Sequence, residues 1–375
     1  MTHYQQCVRC VMDTLDPDIV FDRAGVCHHC RQFDEQVATR QLPAAQAQVE
    51  LQNMLTRLRA AGRGRRYDCV LGISGGADSS YLAWWAWQQG LRTLLVHMDN
   101  GWDSELAVQN IENIVRKTGF DYYNHVVDWD EFRDLQVAYL RASVVDVEVV
   151  TDHAITALVY RTAARFGVRH ILGGSNFITE SIMPRSWSYD PKSDLANLRA
   201  IHHRYGTRRL KSYPTLGLSQ IRYFYHIRKI HIEYPLNCLP YRLPDAMRLL
   251  ETEFDWRYYG GKHWESLFTK FYQAHILPVK FNADKRKSHL SNLVCAGQLS
   301  RAEALQRLAN PVYPPADFAW EYDYVLKKLG LSLAEFTALM AQPPVPHSAF
   351  PREARQLSFR LKAACWKVLG KLIPN

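Results

Sequence analysis

The run Cys69-Val-Leu-Gly-Ile-Ser-Gly-Gly-Ala-Asp-Ser-Ser80 constrains this chain more than any other stretch. Residues 69–73 are short and apolar, the pattern of a buried strand, and the Ala-, Leu- and Trp-rich text from residue 79 reads as a helix. Strand, glycine-rich turn and helix together aim backbone N–H groups and a positive helix end at one point, where a phosphate binds. Gly75 and Gly76 let phosphate oxygens approach the backbone, and Ser74, Ser79 and Ser80 add hydroxyl donors. The Gly-Lys-Ser/Thr ending of a Walker A loop is absent. An ordinary glycine turn would not call for the ordered series Ser-Gly-Gly-x-Asp-Ser.

From residue 68 the pattern alternates. Strands are expected at 69–73, 92–98, 122–127 and 169–172, with helices at 79–89, 104–118, 130–141 and 152–166. Short apolar strands between amphipathic helices predict an α/β fold, a parallel sheet with helices on both faces. Ligands of such sheets bind at the carboxyl ends of the strands, so residues 74–80, 97–101 and 173–176 share one rim. Around this core, at 67–180, the chain divides into cysteine knuckles at 1–36, a helical linker at 37–66, an insertion over the rim at 181–245 and a mainly helical region at 246–375.

Cys7-x-x-Cys10 and Cys27-x-x-Cys30 are separated by sixteen residues. Two such knuckles bring four thiolates onto one ion, and the spacing fits a structural Zn²⁺ ribbon; an iron–sulfur cluster uses the same ligands. Cys238 and Cys295 read as packed thiols, and Cys365 falls on the apolar face of the last helix. Residues 351–371 have the spacing of a basic amphipathic helix, for which packing on the protein's own surface is favoured over peripheral membrane contact. The start lacks an apolar h-region and no apolar run approaches ~18 residues, so a cytoplasmic location is expected. A net charge of +9 suits an anionic partner without choosing one.

The loop resembles the PP-loop of ATP pyrophosphatases. Together with the cysteine pairs, Gly173-Gly-Ser-Asn176, the block Trp256-Arg-Tyr-Tyr-Gly-Gly-Lys-His-Trp-Glu-Ser266, Leu277-Pro-Val-Lys-Phe281 and Asp284-Lys-Arg286, it is similar to the N-acetyl sugar amidotransferases of bacterial surface-polysaccharide and LPS O-antigen synthesis. The resemblance covers nearly the whole chain. It implies a PP-loop core and an activity that uses ATP and Mg²⁺ to turn the acetamido group of a nucleotide-linked sugar, such as a UDP-sugar, into an acetamidino group. It also implies ammonia from a separate glutaminase with a barrel-type companion, and no nucleic-acid partner. No cysteine of this chain sits in a nucleophile turn of the kind a glutaminase needs.

An amide carbonyl is a poor electrophile, so its oxygen must first become a leaving group. Positioning and charge stabilisation do most of that work. Ser74, Gly75, Gly76, Asp78, Ser79 and Ser80 are the expected pyrophosphate cradle, with Asp78 either holding Mg²⁺ or capping the helix. Asp99 and Asn100 sit where a ribose or base would lie, although Asp-Asn-Gly also makes a turn. Gly173, Asn176 and Glu180 flank the same rim. The resemblance makes Lys262, Lys280, Lys285 and Arg286 cations facing pyrophosphate or sugar, and His263 and Glu265 the acid–base pair. The basic stretch Arg199, His202, His203, Arg204, Arg208, Arg209 and Lys211 suits either a diphosphate or a docked partner. The rival reading is a PP-loop enzyme that thiolates or amidinates a tRNA base, against which Cys238 and Cys295 lack an activating sequence.

Overall fold

Apolar runs at 69–72 and 93–98 are buried on both faces because helices cover both, and this sets the architecture. The computed structural model describes residues 4–353; the helix expected at 351–371, with Cys365, lies outside the described residues apart from its first positions. Five strands, β1 (Cys69–Gly72), β2 (Thr93–Asp99), β3 (Asp121–Val126), β4 (His170–Leu172) and β5 (His231–Glu233), form one parallel sheet in the order β3-β2-β1-β4-β5. Val70 aligns with Leu94 on one side and Ile171 on the other. β5, from the insertion, extends the β4 edge, with His170 opposite His231.

Two N-terminal helices, α1 (His28–Arg40) and α2 (Ala44–Gly62), lead into the sheet. The crossovers are α3 (Ala77–Gln88), α4 (Glu105–Thr118), α5 (Trp129–Arg141) and α6 (Val149–Arg165). After β4 come α7 (Phe177–Glu180), α8 (Leu195–Tyr205), α9 (Leu218–His226) and α10 (Leu243–Phe254). The remainder is α11 (Leu267–Phe271), α12 (Leu277–Phe281), α13 (Lys285–Cys295), α14 (Arg301–Ala309), α15 (Pro315–Leu329) and α16 (Leu333–Ala341). A π-helical turn, Tyr272–Ile276, joins α11 to α12.

Side chains that alternate along the strands divide between two cores. Val70, Leu94, Val96 and Ile171 pack with Leu135 and Tyr139 of α5 and Ala154, Ala157 and Leu158 of α6. Cys69, Leu71, Leu95 and Leu172 pack with Leu55 and Leu58 of α2, Leu82 of α3, Ile111 of α4 and Leu250 of α10. Side-chain caps fix several helix starts: Ser104 accepts from Ala107 N–H, Asp128 from Glu131 N–H, and Ser300 with Glu303 forms a capping box.

The strand order reverses direction between β1 and β4. In an open parallel sheet the crevice at that switch point is where ligands bind. The expected α/β architecture is the one the chain adopts, and the loop after β1 and the Gly173 segment after β4 meet at that crevice.

Candidate active site

The loop 73–76 leaves β1 with Ile73 N–H bonded to Val96 carbonyl at 2.9 Å. Gly75 then turns through φ +76°, and a Cβ there would lie 2.5 Å from Ala107 carbonyl oxygen, so no other residue fits. Ser74 Oγ accepts from Gly76 N–H at 3.2 Å, and Ser79 Oγ donates to Gly76 carbonyl at 3.2 Å. Gly75 carbonyl accepts from Trp256 Nε1 at 2.8 Å, so the block before α11 braces the loop. Ser80 Oγ is buried without a partner among the described residues. Across the crevice, an added Cβ on Gly174 would be 3.7 Å from Ser79 N.

The C-terminal region supplies charge to this loop. Lys262 Nζ lies 2.9 Å from Glu180 Oε1 at the end of α7. Asp78 sits in the first turn of α3 behind an N-cap formed by Gly76, and it accepts from Tyr241 hydroxyl, so helix capping is not its role. Burial pushes the Asp78 carboxyl above its usual range, although Lys262 opposes the shift. Burial would lower Lys262, but Glu180 and Asp78 hold its ammonium above the ordinary value. Glu180 also faces a burial penalty, and Lys262 reverses it to leave the carboxyl below its usual range.

His263 Nδ1 stands 3.9 Å from Glu265 Oε1. That histidine adopts φ 65°, a left-handed conformation uncommon outside glycine. A Cβ on Gly76 would be 3.2 Å from Tyr259 hydroxyl and 3.3 Å from Glu265 Oε1, so both groups look onto the loop. Glu265 Oε2 is buried and has no partner among the described residues. Burial works to raise Glu265, but His263 pulls it below the usual carboxylate range. His289 of α13 is kept neutral by burial and by the charges of Lys262, His263 and Lys285.

The other expected residues divide. Asn176 caps α7 by accepting from Thr179 N–H at 2.9 Å, yet its Nδ2 donor is buried with no partner among the described residues. Asp99 accepts from Gly101 N–H at 2.8 Å and Asn100 from Trp102 N–H at 3.1 Å, so the Asp-Asn-Gly turn accounts for both. Two of the expected cations make other contacts. Lys280 donates to Leu339 carbonyl on α16, and Arg286 bonds Asp284 at 2.8 Å and Asn310 carbonyl at 2.9 Å. Lys285 and His289 share a face of α13 from which Arg286 is turned away. In the basic stretch, His202 is tied to Asp134 at 3.3 Å and Arg208 to Asp130 at 3.3 Å. Tyr241, Tyr259 and His289 were not among the expected site residues. Only His289 carried a signal, standing four residues after Lys285.

Cys7, Cys10, Cys27 and Cys30 are fully buried, with all four sulfurs within 4.8 Å of one another. Neighbouring Sγ atoms are 3.6 to 3.8 Å apart. Metal–sulfur bonds of ~2.3 Å in a tetrahedron give about that edge, so the four thiols fit one ion. Arg301 of α14 donates to the carbonyls of Cys7 and Cys10 at 2.9 and 3.0 Å, docking the knuckles on the C-terminal region. Cys295, expected as a packed thiol, ends α13 with its Sγ 3.6 Å from Cys30 Sγ. It stands outside the group of four.

Glu265 opens a stretch that is similar to a known family. Residues 265–365 match the family model of the LPS biosynthesis protein WbpG-like, C-terminal domain. The match takes in α11–α16 and extends past the described residues. No curated protein matches the chain significantly. Among solved structures, the chain is similar to NMN synthetase from Francisella tularensis at 14% identity, covering 78% of this chain and 98% of that one with a TM-score of 0.32. It is also similar to the NH3-dependent NAD synthetase from Campylobacter jejuni in complex with nitrate ion, at 14% identity over 56% and 84% of the two chains, TM-score 0.30.

Proposed function

We propose that the chain is an ATP-dependent amidotransferase of LPS or related glycan synthesis. It activates the acetamido oxygen of a nucleotide-linked N-acetyl sugar and replaces that oxygen with ammonia. The observation that carries this reading is the juxtaposition of a phosphate-type loop at the sheet's switch point with Lys262, His263 and Glu265, which lead into a WbpG-like segment.

ATP supplies the adenylyl group. The backbone of Gly75 and Gly76, the start of α3 and the hydroxyls of Ser74, Ser79 and Ser80 would hold its phosphates, and Ser80 Oγ and Asn176 Nδ2 are spare buried groups suited to that task. Asp78, braced by Tyr241, offers a carboxylate to Mg²⁺, and Lys262 offsets the charge that develops on the leaving pyrophosphate. The amide oxygen bonds to the α-phosphorus as the bond to the β-phosphate bridge breaks. Ammonia then adds to the imidate carbon and gives a proton to Glu265, and the C–O bond breaks to release AMP. His263 and Tyr259 hold the Glu265 carboxylate for that step.

The four-thiol centre would hold Zn²⁺ as a structural ion, since four thiolates leave no open position. Ammonia would come from a separate glutaminase with its barrel-type companion, in the cytoplasm where ATP and nucleotide sugars are made. Incubating the protein with ATP, ammonium and a panel of UDP-linked N-acetyl sugars, and separately with tRNA, tests the reading. Sugar-dependent AMP and pyrophosphate are expected, and turnover with tRNA alone would refute it.

A further inference from the structure

His97, near the carboxyl end of β2, stands between the loop and the segment that carries Glu265. It is only 6% exposed. Its Nδ1 lies 2.8 Å from the Ile73 carbonyl oxygen, and its Nε2 lies 3.1 Å from Asp103 Oδ2. Ile73 precedes Ser74, so the first contact holds the root of the loop. Asp103 belongs to a stretch that pairs with the C-terminal region through an antiparallel bridge to Ser266. Beside that bridge, Ser104 N–H donates to Glu265 carbonyl at 2.8 Å and Leu267 N–H to Trp102 carbonyl at 2.7 Å. One imidazole ring therefore joins the two walls that bring Glu265 up to Gly76.

Both partners of the ring are acceptors. A peptide carbonyl has no proton to give, and an ionised carboxylate only accepts. A neutral imidazole offers a single N–H, so its second nitrogen would set a lone pair against an oxygen in a buried place. That arrangement is costly. An imidazolium satisfies both contacts and balances the charge of Asp103, whose side chain is 16% exposed.

The surroundings favour the charged ring. Burial works against it, but Asp103, the Ile73 carbonyl and Asp99 hold the ring above its ordinary value. Asp103 faces it from the stretch after β2, Asp99 from β2 itself, and Tyr122 from β3 with its ring stacked at 6.4 Å. Burial pushes the Tyr122 hydroxyl up to about 12, so that neighbour stays neutral. The second proton is held below the raised value and lost as pH climbs through it.

We propose that His97 is a positioning residue, an imidazolium whose two N–H groups lock the loop's root to the Asp103–Ser266 bridge and so fix Glu265 against the loop. The role rests on the amidotransferase reading above, in which the loop holds ATP and Glu265 takes a proton from the incoming ammonia. The two bonds then have separable consequences. The bond from Nδ1 aligns the backbone that receives ATP, and the bond from Nε2 aligns the segment that carries Glu265. Asparagine places its amide donor near the position of Nδ1 and glutamine near that of Nε2, so each substitution keeps one bond.

Two kinds of measurement on the full chain test this. Nitrogen-15 NMR of histidine-labelled protein should show at pH 7 a doubly protonated ring whose signal disappears in His97→Gln. That ring should titrate above the ~6.5 of a free imidazole, and Asp103→Asn should return it to the neutral form at pH 7. In calorimetric titrations, His97→Asn should bind α,β-methylene-ATP within about threefold of the parent, while its kcat falls about 10²-fold from misplaced Glu265. His97→Gln should weaken binding of the same analogue about tenfold. A neutral His97 ring at pH 7, or equal loss of analogue affinity in the two variants, overturns the inference. Absence of sugar-dependent turnover in the parent protein instead refutes the proposed reaction, and the ring's charge and the analogue affinities then decide the role of His97 alone.

Discussion

Lys262 Nζ and Glu180 Oε1, 2.9 Å apart, tie the block before α11 to the helix that follows β4. Their bond closes the C-terminal region over the crevice and sets a cation beside Asp78. Replacing Lys262 with Met should lower kcat about 10²–10³-fold, the scale of removing one group that stabilises developing charge. Pyrophosphate release measured alongside circular dichroism checks it, with native structure retained. Near-parental turnover would remove Lys262 from the site.

The thiol centre gives a contrast between cysteines. Cys27→Ser should lose its metal and unfold at lower temperature, because Cys27 is one of the four mutually close sulfurs. Cys295→Ser should keep one ion per chain, since Cys295 approaches only an edge of the group. Elemental analysis of both variants distinguishes them, and X-ray absorption should show Zn²⁺ with four sulfurs at about 2.3 Å.

Much of the sheet was legible because both-face burial writes itself as apolar runs at 69–73 and 92–98, and glycine turns mark where they end. The loop was legible for the same reason: Gly75 has no substitute where a Cβ would meet Ala107 carbonyl. Charged side chains in helices were not. The run Asp284-Lys-Arg-Lys287 offers cations in several directions, and packing turns Lys285 inward while Arg286 returns to Asp284. Tyr241 reaches the site by tertiary approach alone, with no local pattern to announce it. Cys295 meets Cys30 across 265 positions of sequence, a distance no spacing rule spans.

The two displaced cations yield their own test. Lys280→Ala and Arg286→Ala should each leave kcat/KM within about threefold of the parent, as neither side chain faces the loop. Steady-state assays with ATP as the varied substrate check this, and a hundredfold loss would restore either residue to the site.

Two buried histidines, His153 and His347, contribute to acid sensitivity. His153 donates from Nδ1 to Lys192 carbonyl and accepts at Nε2 from Leu216 N–H at 3.0 Å, an arrangement that requires the neutral ring. Burial lowers His153 and His347 to about 4. The unfolded chain binds these protons near pH ~6.5 and the folded chain does not, so stability present above that pH is lost as pH falls toward 4. The loss should reach about 2 kcal/mol per histidine by pH 5. Denaturant titrations between pH 7 and 5 read it directly, and His153→Gln, which can keep both hydrogen bonds, should flatten the profile.

Transfer of the acetamido oxygen to AMP is the central claim, and an isotope follows it most directly. A nucleotide-linked N-acetyl sugar labelled with heavy oxygen in its acetamido carbonyl, incubated with ATP, Mg²⁺ and ammonium, should give AMP carrying the label in its phosphate. The unlabelled product sugar should have NH in place of that oxygen. Label that stays in the sugar, or that appears in inorganic phosphate with ADP as the nucleotide product, would contradict the account.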